Sequence, residues 1–324
     1  MNKTVKKKRV KVVPIGMGIL VFLLAFGAGM ASKAAIKPAW AKEYSVQWND
    51  ALGTVKTDLP YGEGETNKFD LYLPADGGKD RYGLVVYLHA GGFTMGDKGD
   101  DQDMLAWLCS KGYVAAGINY TLRTEMNEAS VLTQSNEIKA AVPEVVAAAE
   151  QAGYPIDKMA VAGGSAGHCL AMIYAYRDGA EAPVPVVFTF GAVGPSSFCQ
   201  EDWGVFGLDQ SDEACAELFS VLAGVKITPD EVADGSYLEK VKPIAAAEWV
   251  NHNPVPTVAA YGTHDRVQPF LASLRLKAAL DENQVDYKYF EFPHSGHALQ
   301  NDDALSRQWM EAIDAYLDRY IPVK

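Results

Sequence analysis

The chain has 324 residues, 48% of them hydrophobic and 22% charged, a balance that supplies a sizeable core and excludes disorder as a class. Its formal net charge is −12. A surface of that sign repels nucleic-acid phosphates, and no run of basic residues interleaved with aromatics occurs, so nucleic acid is excluded as a partner. The pattern implies no cofactor.

Lys3, Lys6, Lys7, Lys8, Arg9 and Lys11 precede an uncharged apolar stretch, Val12–Ala31, closed by Lys33. A basic flank, an apolar core and then small residues form the pattern of a secretory signal. Ser32-Lys33-Ala34 and Ala39-Trp40-Ala41 both place small residues at the −3 and −1 positions of a cleavage site. The stretch is also long enough to stay as an uncleaved anchor. Residues 1–41 are therefore expected to be a signal peptide or an N-terminal membrane anchor. Either way, residues 42–324 form one exported, extracytoplasmic domain, secreted or held at the cell surface.

Gly53–Leu59 and Asn67–Leu73 are short strands separated by Tyr61-Gly62-Glu63-Gly64, a turn former. Leu84–His89 is a continuous apolar run, as a strand buried on both faces requires. Asp101–Lys111 has helical spacing and stops at Gly112. The strand Tyr113–Asn119 follows, then the helix Val131–Gln151, which Pro143 is expected to kink. Next come the strand Met159–Ala162, the helix Ala166–Arg177 and the strand Val184–Phe190. The last elements are the strand Val258–Gly262, the helix Phe270–Glu282, the strand Tyr287–Glu291 and the helix Asp302–Tyr320. This alternation predicts an α/β fold, a mostly parallel central sheet with helices on both faces. One segment breaks the rhythm. About 195–251 reads as an inserted lid, with Phe198, Trp203, Phe206, Phe219 and Trp249 and a helix start at Thr228-Pro229-Asp230-Glu231. The bland alternative is a crossover helix with a long loop.

Gly163-Gly164-Ser165-Ala166-Gly167 satisfies G-x-S-x-G between a predicted strand and a predicted helix. A nucleophilic serine needs that tight turn, whose small neighbours relieve its strain and whose helix N-terminus favours developing negative charge. His89-Ala90-Gly91-Gly92-Phe93 follows directly on another strand. Glycines there allow successive N–H groups to point into one concavity, as an oxyanion hole demands. Gly91, Gly92 and Ala166 are the candidate donors, and Phe93 is a candidate pocket residue alongside the lid aromatics. In a Ser, acid, His chain order the acid is Asp265, just past the strand Val258–Gly262, and the base is His297. His294 is the competing base. Asp286 would start its strand, on the wrong edge, and His168 follows the serine too closely to leave room for an orienting acid. The four cysteines, Cys109, Cys169, Cys199 and Cys215, lack the spacing of a zinc site. Cys199 and Cys215 share one segment, where an oxidising location permits them to pair.

Together, His89–Phe93 and Gly163–Gly167 resemble the hormone-sensitive-lipase-like esterase group of α/β-hydrolases, whose hallmark is H-G-G-G. The similarity includes Asn119-Tyr120 and runs through nearly the whole exported part except the lid. It implies the α/β-hydrolase fold, a Ser165–Asp265–His297 triad, a supporting and non-catalytic role for His89, and cleavage of short-chain acyl esters. There are two departures: Ala90 replaces the first glycine, and His168 stands where a further glycine is usual. The expected activity is that of a serine carboxylesterase acting on a small-molecule or polysaccharide ester. A serine peptidase or amidase would use the same triad. A non-catalytic surface-binding protein would usually lack one member, and here all three are filled.

Overall fold

The computed structural model describes residues 44–323. The export segment expected at the N-terminus lies outside the described residues. Among the described residues, no helix is long and apolar enough to cross a membrane.

An eight-stranded sheet organises the molecule, in the spatial order β1-β2-β4-β3-β5-β6-β7-β8. The strands are β1 (Gly53–Pro60), β2 (Lys68–Pro74), β3 (Tyr82–Leu88), β4 (Val114–Ile118), β5 (Ile156–Gly164), β6 (Val186–Ala192), β7 (Thr257–Gly262) and β8 (Tyr287–Phe292). β2 runs antiparallel to both β1 and β4, and every other neighbouring pair is parallel. The expected mostly parallel sheet is therefore what the chain forms. β6 starts two residues later than the sequence suggests. Pro183 and Pro185 lack the N–H that a ladder needs, although the Pro185 carbonyl still accepts from Met159 N–H.

Central strands are apolar on both sides because both sides are covered. Leu84, Val86 and Leu88 of β3 face one core cluster, while Val85 faces the other. The first cluster is closed by the helices α2 (Val131–Gln151), α3 (Ala166–Ile173) and α7 (Phe270–Glu282), the second by α1 (Gln102–Ser110) and α8 (Asp303–Tyr320). α2 begins at a Ser130 cap and continues unbroken through Pro143. α3 ends earlier than its apolar pattern, passing into a π turn over Tyr174–Asp178.

Between β6 and β7 the insertion is helical, with α4 (Asp212–Ala223), α5 (Pro229–Asp234), α6 (Tyr237–Val241) and short 3₁₀ turns. The Thr228 start carries a full capping box with Glu231. Phe198, Trp203 and Phe219 are at most 4% exposed. Phe198 stacks on Trp203 and Phe219 on Tyr237, and Phe219 meets Phe198 and Trp203 edge to face. These aromatics form a local core and do not line a pocket, contrary to expectation. All four cysteines are free thiols, so Cys199 and Cys215 are not joined.

Candidate active site

Ser165 sits at the end of β5, where the chain turns into α3. Its backbone lies at φ 51°, ψ −117°, a conformation side chains rarely adopt. Glycine makes the turn possible. A Cβ on Gly167 would overlap the Leu88 carbonyl, and one on Gly163 would lie 2.6 Å from the same oxygen. Ser165 N–H is anchored to the Ala192 carbonyl of β6 at 2.8 Å. The side chain is lifted above the sheet edge. Its Oγ lies 2.8 Å from His297 Nε2. His297 Nδ1 lies 2.8 Å from Asp265 Oδ2. The other carboxylate oxygen of Asp265 accepts N–H groups from Val267 at 2.7 Å and Gln268 at 2.9 Å. Asp265 is thereby fixed, with its side chain 1% exposed. The three residues expected as a triad meet in one hydrogen-bonded line.

Gly91 (φ 135°), Gly92 (φ 59°) and Phe93 (φ 68°) succeed one another in left-handed conformations after β3. A Cβ on Gly91 would overlap the Met95 carbonyl. Among the described residues, the N–H groups of Gly91, Gly92 and Ala166 have no protein acceptor, so they are free to donate. The Phe93 ring is 9% exposed and belongs to the main apolar cluster, so it packs as core.

His89 is 1% exposed. Its Nδ1 lies 2.7 Å from the Ala90 carbonyl, and its ring stacks on Tyr120 at 4.2 Å. Tyr120 in turn donates to the His89 carbonyl. Burial lowers the pKa of the ring and favours its neutral form. His168 is wholly buried, and burial lowers its pKa to about 3. Gly194 N–H donates to its Nδ1 at 3.2 Å. The imidazole occupies space left by other glycines: a Cβ on Gly191 would lie 2.5 Å from it. The glycine missing at 168 is thus offset across the interface with β6. His294 makes no contact with the serine and lies instead on Asp302. Asp286 is at the opposite strand end, held by Tyr316, Tyr320 and Arg319.

One group that sequence reasoning missed is an ion cluster behind the glycine loop, built on the buried pair Lys98 and Asp70 with the exposed Asp58 and Asp97 at its rim. Lys98 Nζ lies 3.0 Å from Asp58, 3.2 Å from Asp70 and 4.0 Å from Asp97. Burial opposes its charge, and the carboxylates more than offset that, raising its pKa. Asn119 ties in both Lys98 N–H and Asp97. The signal available was the density of charge at Asp97–Asp101, directly after a glycine loop. Among the described residues, no group of three or more His, Cys, Asp or Glu side chains is placed to hold a metal ion.

A cleft of about 500 Å³ separates the Asp265 loop and the start of α7 from Glu201–Asp209 of the insertion. Arg275 of α7 pairs with Glu201 and Asp202, two of the residues that line the cleft.

Two family models divide the site between them. The BD-FAE model matches residues 69–195, which carry the glycine loop and Ser165. The prolyl oligopeptidase family model matches residues 217–323, which carry Asp265 and His297. Esterase B from Lactobacillus rhamnosis, a solved structure, superposes with a TM-score of 0.66 at 19% identity, over 92% of this chain and 96% of its own. The chain has the α/β-hydrolase fold. A truncated carbohydrate esterase from gut microbiota has the same fold, with a TM-score of 0.63 at 18% identity over 84% of this chain and 98% of that one. By sequence, the chain is 32% identical to the kynurenine formamidase of Salmo salar over 126 residues, 38% of this chain. That match spans only 40% of the salmon protein's length.

Proposed function

We propose that this α/β-hydrolase is a serine carboxylesterase that cleaves short-chain acyl esters through an acyl-enzyme. The observation that carries the reading is the unbroken line from Ser165 Oγ through His297 to a doubly anchored Asp265. In this mechanism Ser165 attacks the ester carbonyl while His297 Nε2 takes its proton. Asp265 holds Nδ1–H, which fixes the tautomer and stabilises the imidazolium. The carbonyl oxygen becomes an oxyanion facing the N–H groups of Gly91, Gly92 and Ala166, at the N-terminus of α3. His297 then protonates the departing alcohol, and water, activated by the same imidazole, hydrolyses the acyl-enzyme. The substrate is a small-molecule or polysaccharide ester, met outside the cytoplasmic membrane in keeping with residues 3–33.

Cleavage of small amides is the second reading, favoured by the stretch shared with kynurenine formamidase. One panel tests both, using aryl esters of graded acyl length, acetylated xylan, aryl formamides and peptide amides. Acetyl to hexanoyl esters are expected to turn over faster than dodecanoyl esters, and faster than any amide. Faster formamide turnover would give the second reading precedence. Ser165→Ala is expected to lower ester hydrolysis by about 10⁴-fold or more, with loss of fluorophosphonate labelling. Labelling that survives in that variant would remove Ser165 as the nucleophile.

A further inference from the structure

The sequence marks Asp302 as an ordinary helix start, since aspartate before an apolar-periodic run caps the first turn. In the structure it does not cap α8: it occupies the N-cap position but makes no side-chain bond to the helix N–H groups. Its carboxylate points the other way, onto the turn that leads to His297. Oδ2 accepts from Ser295 Oγ at 2.6 Å and from His294 N–H at 3.1 Å. Oδ1 lies 2.8 Å from His294 Nδ1. The Asp302 side chain is 7% exposed. Burial opposes its ionisation, and these bonds overcome that and hold its pKa below the ordinary carboxylate value.

Ser295 carries the contact onward. It is fully buried. Its Oγ accepts from Asn301 N–H at 3.0 Å, and Asn301 Nδ2 donates to the His294 carbonyl at 2.6 Å. The Ser295 carbonyl accepts His264 N–H at 3.1 Å, one residue before the triad acid. A Cβ on Gly262 would meet the Ser295 and Gly296 carbonyls, so the two loops touch backbone to backbone. Segment 294–302 is therefore closed at its base by one ionised carboxylate, and the closed turn is docked on the loop that holds Asp265. His297 sits at the crown of that turn.

We infer that Asp302, acting through Ser295, is a positioning residue for catalysis: it holds His297 in register with Asp265 and Ser165 without touching substrate. This rests on the triad reading above. A carboxylate spent on the turn and not on its own helix is what a loop needs when its crown must stay fixed. A displacement near 1 Å of a reacting group costs on the order of 10²-fold in rate.

Asp302→Asn keeps the shape but turns one acceptor into a donor facing other donors. Its kcat on an activated acetyl ester is expected to fall by about 10- to 100-fold with KM within twofold, because binding surfaces are untouched. The downfield proton resonance of His297 Nδ1–H, the mark of its bond to Asp265, is expected to broaden or vanish. A purely structural role would lower the melting temperature and leave both readouts in place. Ser295→Ala removes one hydroxyl and is read in the same way, including where Asp302→Asn does not fold. If the wild type labels at Ser165 and hydrolyses the ester while both folded variants keep its kcat and its resonance, the positioning role is overturned. If the wild type neither labels nor hydrolyses, the serine hydrolase reading itself falls.

Discussion

The Ser165 side of the site is shaped by backbone packed on backbone, whereas the Asp265 and His297 side adds a set of side-chain hydrogen bonds to its backbone contacts. Around Ser165, a Cβ on Gly163 or Gly167 would press into main-chain atoms, and the serine amide is tied to β6. Around His297, the anchors are a carboxylate, a hydroxyl and an amide side chain. The first construction is rigid because there is no rotamer to change. The second is adjustable, and each bond can be lost singly. Substitutions should therefore act all-or-none on one side and by degrees on the other.

The largest effect expected beyond the nucleophile itself is at the base. His297→Ala removes the general base of the first step and the acid that protonates the alcohol, and should lower kcat by roughly 10³-fold or more. Steady-state rates on one activated ester check this. A variant within tenfold of wild type would show that another group takes the serine proton. Gly167→Ala tests the all-or-none side. The new methyl must displace either β3 or α3, for an overpacking cost of about 3 kcal/mol. Ser165 moves with them, so kcat should fall by about 10²-fold. Denaturant unfolding together with kcat would show it. A stable, active Gly167→Ala enzyme would break the contrast drawn here.

That contrast also explains what could be read from the chain beforehand. Ser165 and the Gly91-Gly92 loop were legible because backbone-built sites need glycines at fixed local spacing. The mostly parallel sheet followed from strands that alternate with helices, whereas the order of its strands came only from the structure. Asp265 and His297 were placed through chain order and strand ends, and His297 is set apart from His294 by the flexible Ser295-Gly296 before it and Ala298-Leu299 after it, where His294 follows Pro293 directly. Asp302 and Lys98 escaped. Their partners lie on other segments, Asp58 and Asp70 for Lys98 and Ser295 for Asp302, and the charge density at Asp97–Asp101 does not name those partners. The lid aromatics misled because an aromatic that builds a local core looks the same in sequence as one that lines a pocket.

A smaller effect concerns the floor beneath the nucleophile. His168 titrates near 6.5 when unfolded and at about 3 when folded. Between those values the unfolded chain binds a proton that the native state refuses. Its contribution to stability is therefore fully present above about pH 6.5 and is lost as pH falls toward 3. The maximum slope is about 1.4 kcal/mol per pH unit. His168→Gln removes that proton, so unfolding free energy measured between pH 4 and 6 should fall less steeply than in wild type, whatever the absolute loss from repacking. Equal slopes in the two proteins would mean that His168 is not the group refusing the proton.

The smallest effect expected is at His294, and it sharpens the contrast on the adjustable side. The His294 side chain is 76% exposed. It supplies one of the bonds on Asp302, while its own backbone N–H and the Ser295 hydroxyl supply the others. His294→Ala deletes only the ring, so the turn keeps its two remaining donors and its docking on the Asp265 loop. A loop held by several separate bonds should loosen in proportion to those lost. The expected cost is then about tenfold or less in kcat, well short of a 1 Å displacement, and far below the loss for His297→Ala. Measuring both variants on the same ester settles which histidine is the base. If His294→Ala were the near-inactive enzyme and His297→Ala the active one, the base assignment would be reversed and the turn would have to present the other ring to Ser165.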